Sequence, residues 1–237
     1  MILKVLYTGI QWKELPINKG INGKPEIHYT GIFKQYAKWS NDGSLKKAFE
    51  ASVGLLHNEG ELDVSVLNGD GTNTVAKKGG DGIGYSGHKH QRGEKVVAIT
   101  DKNGNVIAPY TIAPVNVSDC ILLPDSLKNL SEIARNLGIS IKGSILNLDG
   151  IFDSKKNRKA IFNRGMIPNI PENKRNRKKN KRGRKRLFNE SIHKLRHNVE
   201  RTFAWEDKFK RLLLRFERIQ SRHFTFKLLT YTLINIR

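Results

Sequence analysis

The sequence lacks the features that stabilise secreted and membrane-spanning proteins. Cys120 is the only cysteine among 237 residues, so the chain cannot form an internal disulfide, which is typical of a reducing cytoplasm. No apolar run approaches the about 18 residues that a transmembrane helix needs. The opening segment also lacks the small-residue cleavage pattern of a signal peptide. These absences predict a cytoplasmic protein without a membrane segment.

Acidic residues are scarce relative to basic ones. The chain has 43 lysines and arginines against 22 aspartates and glutamates, which gives a formal net charge of +21. A charge of this size indicates a polyanionic partner, either nucleic acid or an acidic membrane surface. Residues 174–186 hold ten basic residues and no acid. We expect this segment to contact phosphates, and a solvated basic loop is the alternative.

A Gly-rich stretch matches a nucleotide-binding motif, but the residues around it do not support nucleotide binding. GIGYSG at 82–87 matches Gly-x-Gly-x-x-Gly, yet no strand directly precedes it and no helix begins at it. We therefore predict no organic cofactor. A basic, Gly-rich loop between two strands could instead lie along a DNA backbone, and its candidate phosphate contacts are Lys77, Lys78, Lys89 and Arg92. His88 and His90 lack the further ligands at zinc spacing.

Periodicity predicts a mixed α/β fold. Helical spacing indicates a helical N-terminal segment over 1–57 after an irregular start, which would be either a helix-turn-helix or a small helical subdomain packed on a core. Residues 58–237 would form the second unit. Its predicted strands are 61–71, 95–100, 105–112 and 139–150, and its predicted helices are 126–138, 153–165 and most of 188–218.

Two aspartates stand beside glycines at apparent strand ends. Asp70 ends the first predicted strand and Asp149 ends the last. Carboxylates placed in this way can hold Mg²⁺, which prefers oxygen ligands and needs only a few from the protein. The alternative is ordinary turn chemistry, because Asp next to Gly is common in turns. The residue pattern alone leaves both interpretations open.

Four blocks of sequence resemble bacterial insertion-sequence transposases of the DDE type, which have a ribonuclease-H-like catalytic core. They are YTGIQWKELP (7–16), NGDGTNTVAKKGGDGIGYSGHKHQRGEK (68–95), NLDGIFDS (147–154) and RHNVERTFAWEDKFKRLLLRFER (196–218). The resemblance implies a mixed sheet flanked by helices. Family members usually carry more helical sequence before the first block, which begins six residues into this chain. The resemblance therefore implies a truncated copy or a late start codon.

The resemblance also assigns site residues. Asp70, Asp149 and Glu200 would bind two Mg²⁺ ions, for which Mn²⁺ is expected to substitute, and Asp153 is the less favoured choice for the second aspartate. Arg196 matches the Arg of the Tyr-Arg-Glu-Lys signature and would pair with Glu200 or bind a DNA phosphate. The chain departs from that signature at two further positions, His193 for Tyr and Asp207 for Lys.

Further predicted DNA contacts are Arg201 on the block that carries Glu200, and Lys178 and Lys179 in the basic segment. Trp205 is expected to anchor its helix in the core, with stacking on a flipped base as the alternative.

The implied activity is metal-dependent cleavage and strand transfer of the element's own DNA. The partners would be double-stranded DNA, as terminal inverted repeats and target, and a second copy of the chain or more on that DNA. The expected location is the bacterial cytoplasm, at the nucleoid. The main alternative is a catalytically inactive DNA-binding remnant or regulator derived from a transposase, and a structural RNA-binding protein is a weaker one.

Overall fold

The computed structural model describes residues 1–173 and 186–237, so Lys178, Lys179 and all of the predicted basic segment except Arg186 lie outside the described residues. The helices are Ile2–Thr8 (α1), Tyr29–Asn41 (α2), Ser44–Asn58 (α3), Asp119–Asn136 (α4), Lys155–Phe162 (α5), Glu190–His193 (α6), His197–Glu206 (α7) and Gln220–Asn235 (α8). The strands are Val66–Ala76 (β1), Gly84–Ser86 (β2), Gln91–Thr100 (β3), Val106–Pro114 (β4), Ile145–Asn147 (β5), Ile167–Asn169 (β6) and Leu214–Arg215 (β7).

The described strands form one mixed sheet organised around β1. On one side β1 pairs antiparallel with β3, which pairs antiparallel with β4 and β2. On the other side β1 pairs parallel with β5, and β5 pairs parallel with β6. Helices α3, α4 and α8 pack against the sheet and contribute Phe49, Leu127 and Tyr231 to its buried core. This mixed sheet flanked by helices confirms the predicted mixed α/β fold class.

The N-terminal helices pack on the C-terminal part of the chain. The start of the chain was predicted to be irregular, but residues Ile2–Thr8 form helix α1. Val5 and Leu6 of this helix are buried in a second apolar cluster. That cluster also contains Tyr36 of α2 and Phe226 of α8. These contacts are those of a helical unit packed on a core, and the division of the chain at residue 57 stays a prediction.

The first predicted strand lies five residues further along the chain than its alternating pattern indicated. Residues 61–65 precede the strand, and β1 continues past Asp70 to Ala76 because β3 pairs with it as far as Val75. Asp70 is therefore inside a strand and not at its end. The last predicted strand is also shorter than expected, since β5 covers only 145–147.

The C-terminal region is less helical than its periodicity suggested. Helix α7 ends at Glu206. The prediction that the helix continues through 209–216 was wrong, because β7 pairs with the end of β1 there. The apolar C-terminal tail forms helix α8. Within 1–173 and 186–237, no helix is both long and apolar enough to cross a membrane.

Candidate active site

The sheet brings Asp70 and Asp149 into neighbouring segments. The last parallel pair between β1 and β5 is Asn68 with Asn147, and each aspartate follows its asparagine by two residues. Asp70 lies inside β1, whereas β5 ends at Asn147 and Asp149 lies just beyond that end. The backbone N–H of the next glycine donates to each carboxylate, at 2.9 Å for Asp70 and 2.6 Å for Asp149.

The glycines that flank Asp70 serve close packing inside a strand. A Cβ at Gly69 would lie 2.5 Å from Leu148, and a Cβ at Gly71 would lie 2.9 Å from a carboxylate oxygen of Asp119. Neither glycine has the positive φ that marks a turn glycine. The turn interpretation of Asp70 is therefore wrong. Asp149 does begin a short 3₁₀-helix, Gly150–Phe152, as its N-cap.

Arg196 joins Asp70 to Glu200. One guanidinium nitrogen donates to Asp70 Oδ2 and the other donates to Glu200 Oε1, both at 2.7 Å. Arg196 and Glu200 are four residues apart on consecutive helical turns, so their side chains lie on one face. The expected pairing of Arg196 with Glu200 is thus present. Glu200 reaches Asp70 through Arg196, and its own side chain is 54% exposed.

The electrostatic surroundings of Asp70 raise its pKa. Burial raises the pKa of Asp70 above its ordinary value, and the negative charge of Asp149 raises it further. The charge of Arg196 opposes both effects without cancelling them. The two aspartates are therefore close enough to repel each other, which is the arrangement that a bound divalent cation would relieve.

Alternative carboxylates are engaged elsewhere. Asp153 is buried and accepts from Arg158 at 2.8 Å and from Arg186 at 2.5 Å, so its charge is already balanced. Glu206 is buried at the end of α7 and bonds to Lys227 and Tyr231. Both partnerships occupy these carboxylates in the folded core. Asp149 is therefore more accessible than Asp153, and Glu200 is more accessible than Glu206.

Three hydrogen-bonded asparagines lie next to the aspartates, and their role was not predicted from the sequence. Asn68, Asn147 and Asn169 are consecutive register partners on β1, β5 and β6 and are all buried. Asn147 Nδ2 donates to Asn68 Oδ1 at 3.1 Å, and Asn169 Nδ2 donates to Asn147 Oδ1 at 2.7 Å. We call these three residues the asparagine ladder.

The asparagine ladder also holds the segment that leads to Arg196. Asn147 donates to the backbone carbonyl of Ile192 at 2.8 Å, and Asn169 exchanges two hydrogen bonds with the backbone of Asn189. Asn189 in turn caps α6 by accepting from the N–H of Ile192. The sequence carries a signal for this ladder, because Leu-Asn-x-Asp occurs at 67–70 and again at 146–149.

The two positions that depart from the family signature lie in different surroundings. His193 packs against Phe188, with 5.1 Å between ring centroids. Burial lowers the pKa of His193, and the charge of Arg196 lowers it further. Asp207 follows the end of α7 and is exposed, and the ammonium of the next residue, Lys208, lies 3.4 Å from the ring centroid of Trp205.

Trp205 is 37% exposed, so the expectation that it anchors α7 in the core was wrong. Its ring also has the guanidinium of Arg237 at 4.6 Å. The predicted DNA-contacting residues of the described chain are exposed at several places. Lys77 and Lys78 follow β1, Lys89 precedes β3, Arg92 lies in β3 and Arg201 lies on α7.

The carboxylates satisfy part of what a metal site needs. Within residues 1–173 and 186–237, no three His, Cys, Asp or Glu side chains already form a group that could hold a metal ion. Asp70 and Asp149 supply neighbouring oxygen donors of the kind that Mg²⁺ prefers. The guanidinium of Arg196 supplies the positive charge between Asp70 and Glu200 in this structure. The donor chemistry therefore fits a hard divalent cation.

The chain is similar to known transposases. A putative transposase for insertion sequence element IS402 from Burkholderia cepacia is 30% identical over 135 residues, which are 56% of this chain and 58% of that protein. This chain thus matches less than two thirds of that relative's length. A solved structure described as the Mos1 transposase paired-end complex with left transposon end is 14% identical, with a TM-score of 0.33, over 52% of this chain and 40% of its own. The Transposase DDE domain matches residues 59–234, most of the chain, and the protein therefore belongs to that family.

Proposed function

We propose that this protein is a metal-dependent transposase that cleaves the DNA strands at the ends of its own insertion element and joins them to target DNA. The observation that carries the proposal is the proximity of Asp70 in β1 to Asp149, just beyond the end of the neighbouring parallel strand β5, with Arg196 connecting Asp70 to Glu200. Membership of the transposase family supports the same conclusion.

Asp70, Asp149 and Glu200 would hold the metal ions. Bound Mg²⁺ supplies activation of the attacking oxygen and stabilisation of the leaving oxygen in phosphodiester chemistry. The protein's own contribution begins with placement. Strand β1 holds Asp70, the turn after β5 holds Asp149, and the N–H groups of Gly71 and Gly150 donate to their carboxylates. The asparagine ladder fixes the segment from which Arg196 and Glu200 extend.

Arg196 has two roles in this proposal. While the carboxylates lack metal, its guanidinium balances the charges of Asp70 and Glu200. With the carboxylates holding metal, the same guanidinium would be available to bind a DNA phosphate, for which its fork of donors is suited. The exposed cations Lys77, Lys89, Arg92 and Arg201 would bind the DNA backbone without reading its sequence.

The test uses a plasmid that carries the element's own ends, incubated with purified protein and Mg²⁺ or Mn²⁺. Asp70→Asn and Asp149→Asn should each lower the cleavage rate about a hundredfold or more, because each removes a ligand from ions that contribute several kcal/mol to the transition state. Asp125→Asn is the matched control, since Asp125 is an exposed aspartate of α4. Full cleavage by either ligand variant would contradict the proposal. DNA binding with no cleavage by the wild type would favour an inactive DNA-binding remnant.

A further inference from the structure

A second concave site lies apart from the three carboxylates. A cavity of about 450 Å³ opens between the N-terminal segment, the residues that follow β1, and the segment around β7. Its volume is within the range of small-ligand sites, about 300–1,000 Å³. Asp70, Asp149 and Glu200 are not among the residues that line it. The cavity therefore needs an explanation of its own.

The lining combines aromatic rings with positive charges. Trp12, Tyr29 and Phe216 supply the rings, and Lys13, Lys78 and Arg211 supply the cations. No acidic residue is among the described residues that line the cavity, although Lys13 has an exposed ion pair with Glu14 at 3.6 Å. Aromatic rings stack on nucleobases of any sequence, and cations bind the attached phosphates. This pairing of groups is what a single nucleotide requires.

The wall formed by Arg211 and Phe216 is fixed before any ligand arrives. Arg211 is buried and donates from Nε and Nη2 to Glu217 Oε1 at 2.8 and 2.6 Å. Its guanidinium carbon lies 5.3 Å from the ring centroid of Phe216. Trp12 is held on another side, since its ring packs 5.4 Å from Phe33 between centroids. A site that is already ordered loses little entropy on binding.

Lys78 is also connected to a well-anchored loop. The N–H of Asp81 donates to the carbonyl of Arg218 at 3.0 Å, and Arg215 donates to the Asp81 carboxylate at 2.8 Å. At Gly80, which has φ of +137°, an added Cβ would lie 2.6 Å from the carbonyl oxygen of Arg218. The close approach explains the glycine and ties the loop after Lys78 to the segment that carries Phe216.

The cavity lies beyond the end of the strand that carries Asp70. Asp70 and Ala76 lie six residues apart on β1, which corresponds to about 20 Å along the strand. Lys78 follows two residues later and lines the cavity. About 20 Å spans about six nucleotides of one DNA strand at about 3.4 Å each. A DNA strand that joined the carboxylates to the cavity would have to span about this length.

We infer that this cavity binds one unpaired nucleotide of the DNA substrate, with its base against Trp12, Tyr29 and Phe216 and its phosphate on Lys13 and Lys78. Arg211, which is paired with Glu217, holds the ring of Phe216 in place. The inference rests on the proposed function, because it assumes that DNA is the substrate. An acidic peptide could satisfy the cations but would leave the three aromatic faces unused. A base and its phosphate use both.

The experiment compares two labelled ligands by fluorescence anisotropy, with EDTA present so that no metal is bound. One ligand is a short single-stranded oligothymidine, and the other has the same phosphate backbone without bases. The wild type should bind oligothymidine about tenfold more tightly, because stacking of one base contributes on that scale. Tyr29→Ala and Phe216→Ala should each reduce this preference. Lys78→Ala should weaken binding of both ligands, and Lys34→Ala is the matched control on exposed α2 surface outside the cavity.

Three outcomes would overturn the inference. The wild type could bind both ligands equally, or both aromatic variants could keep the full preference. An oligoglutamate peptide could also displace oligothymidine as well as unlabelled oligothymidine does, which would indicate an acidic peptide as the occupant. Trp12 is not substituted, because its packing on Phe33 and Tyr36 makes misfolding the expected result.

The two proposals fail separately. Asp70→Asn should keep the preference for oligothymidine while losing metal-dependent cleavage. If that variant cleaves normally, the metal-site proposal fails and the cavity result stands. If the aromatic variants keep the preference while Asp70→Asn is inactive, the cavity assignment fails and the proposed function stands.

Discussion

The guanidinium of Arg196 lies between Asp70 and Glu200 and donates a 2.7 Å hydrogen bond to each carboxylate. It occupies the position in which a divalent cation would attract the same two groups. In the proposed metal site, Arg196 and a metal ion would compete for these carboxylates until DNA offered the arginine a phosphate.

Removal of this competitor should strengthen metal binding in the absence of DNA. We expect Arg196→Ala to lower the Kd for Mn²⁺ about fivefold, equivalent to about 1 kcal/mol for a partly exposed ion pair. Isothermal titration calorimetry measures this change. Arg201→Ala removes an exposed arginine from the same helical region and should leave the Kd unchanged. An Arg196→Ala variant with weaker Mn²⁺ binding would contradict the competition.

The asparagine ladder should affect cleavage more than stability alone explains. Asn147→Ala removes the hydrogen bonds that Asn147 makes to Asn68 Oδ1, to Asn169 Nδ2 and to the Ile192 carbonyl, at a cost of about 1–3 kcal/mol in the free energy of unfolding. It should also lower kcat for cleavage while the Kd for DNA changes little, because the segment carrying Arg196 loses its attachment.

Asn235→Ala is the matched control for the ladder. Asn235 is equally buried and bonds to the backbone of Val106 and to Ser52, far along the chain from the carboxylates. Denaturant unfolding and cleavage kinetics of both variants separate the two effects. Equal loss of kcat at equal loss of stability would show that the ladder is only structural.

Asp153 should contribute stability that disappears in acid. Burial alone would raise its pKa, but hydrogen bonds and the charges of Arg158 and Arg186 outweigh burial and hold the pKa below its ordinary value. A carboxyl with a depressed pKa stabilises the fold above its unfolded pKa, near 4, and this contribution is lost as the pH falls through the lower folded value.

The Asp153→Asn variant tests this linkage by urea unfolding across pH. At neutral pH the free energy of unfolding should fall by about 3 kcal/mol, the scale of breaking a buried ion pair. Below about pH 4 the difference between wild type and variant should shrink. A difference that is constant across this range would show that Asp153 does not act through its charge.

Salt dependence should identify the phosphate contacts. For each of Lys77, Lys89 and Arg92, substitution by alanine should reduce the slope of log K against log salt by about 0.9 if the residue binds one phosphate of duplex DNA. Lys34→Ala should leave the slope unchanged. If the slope is unchanged in all three variants, the DNA binds to a face of the protein that does not include these residues.

The sequence predicted the fold class and the order of most elements, because alternating and helical patterns extend through the buried hairpin and the long helices. It placed Asp70 at a strand end, since nothing local reveals that β3 pairs with β1 as far as Val75. Pairing over such a separation depends on tertiary packing. The prediction of a helix over residues 209–216 was wrong for a similar reason. Arg215 is buried and paired with Glu94, so this segment does not form the expected apolar helical face.

For the site, sequence resemblance named the candidates and the structure supplied their relationships. Spacing could not distinguish Glu200 from Glu190 or Glu206. Burial removes Glu206, whose carboxylate bonds to Lys227 and Tyr231, and the contact with Arg196 favours Glu200. The asparagine ladder was readable as a repeated Leu-Asn-x-Asp pattern, but its meaning needed the strand register.

In the proposed function, Asp70, Asp149 and Glu200 act together on DNA, and Glu200 is the least constrained of these three carboxylates. The most direct measurement is the rate of Mg²⁺-dependent cleavage of the element's own ends by Glu200→Gln and by Glu190→Gln, an exposed glutamate ten residues earlier. We expect the first variant to lose cleavage by about a hundredfold or more and the second to match the wild type. Wild-type cleavage by Glu200→Gln would contradict the account.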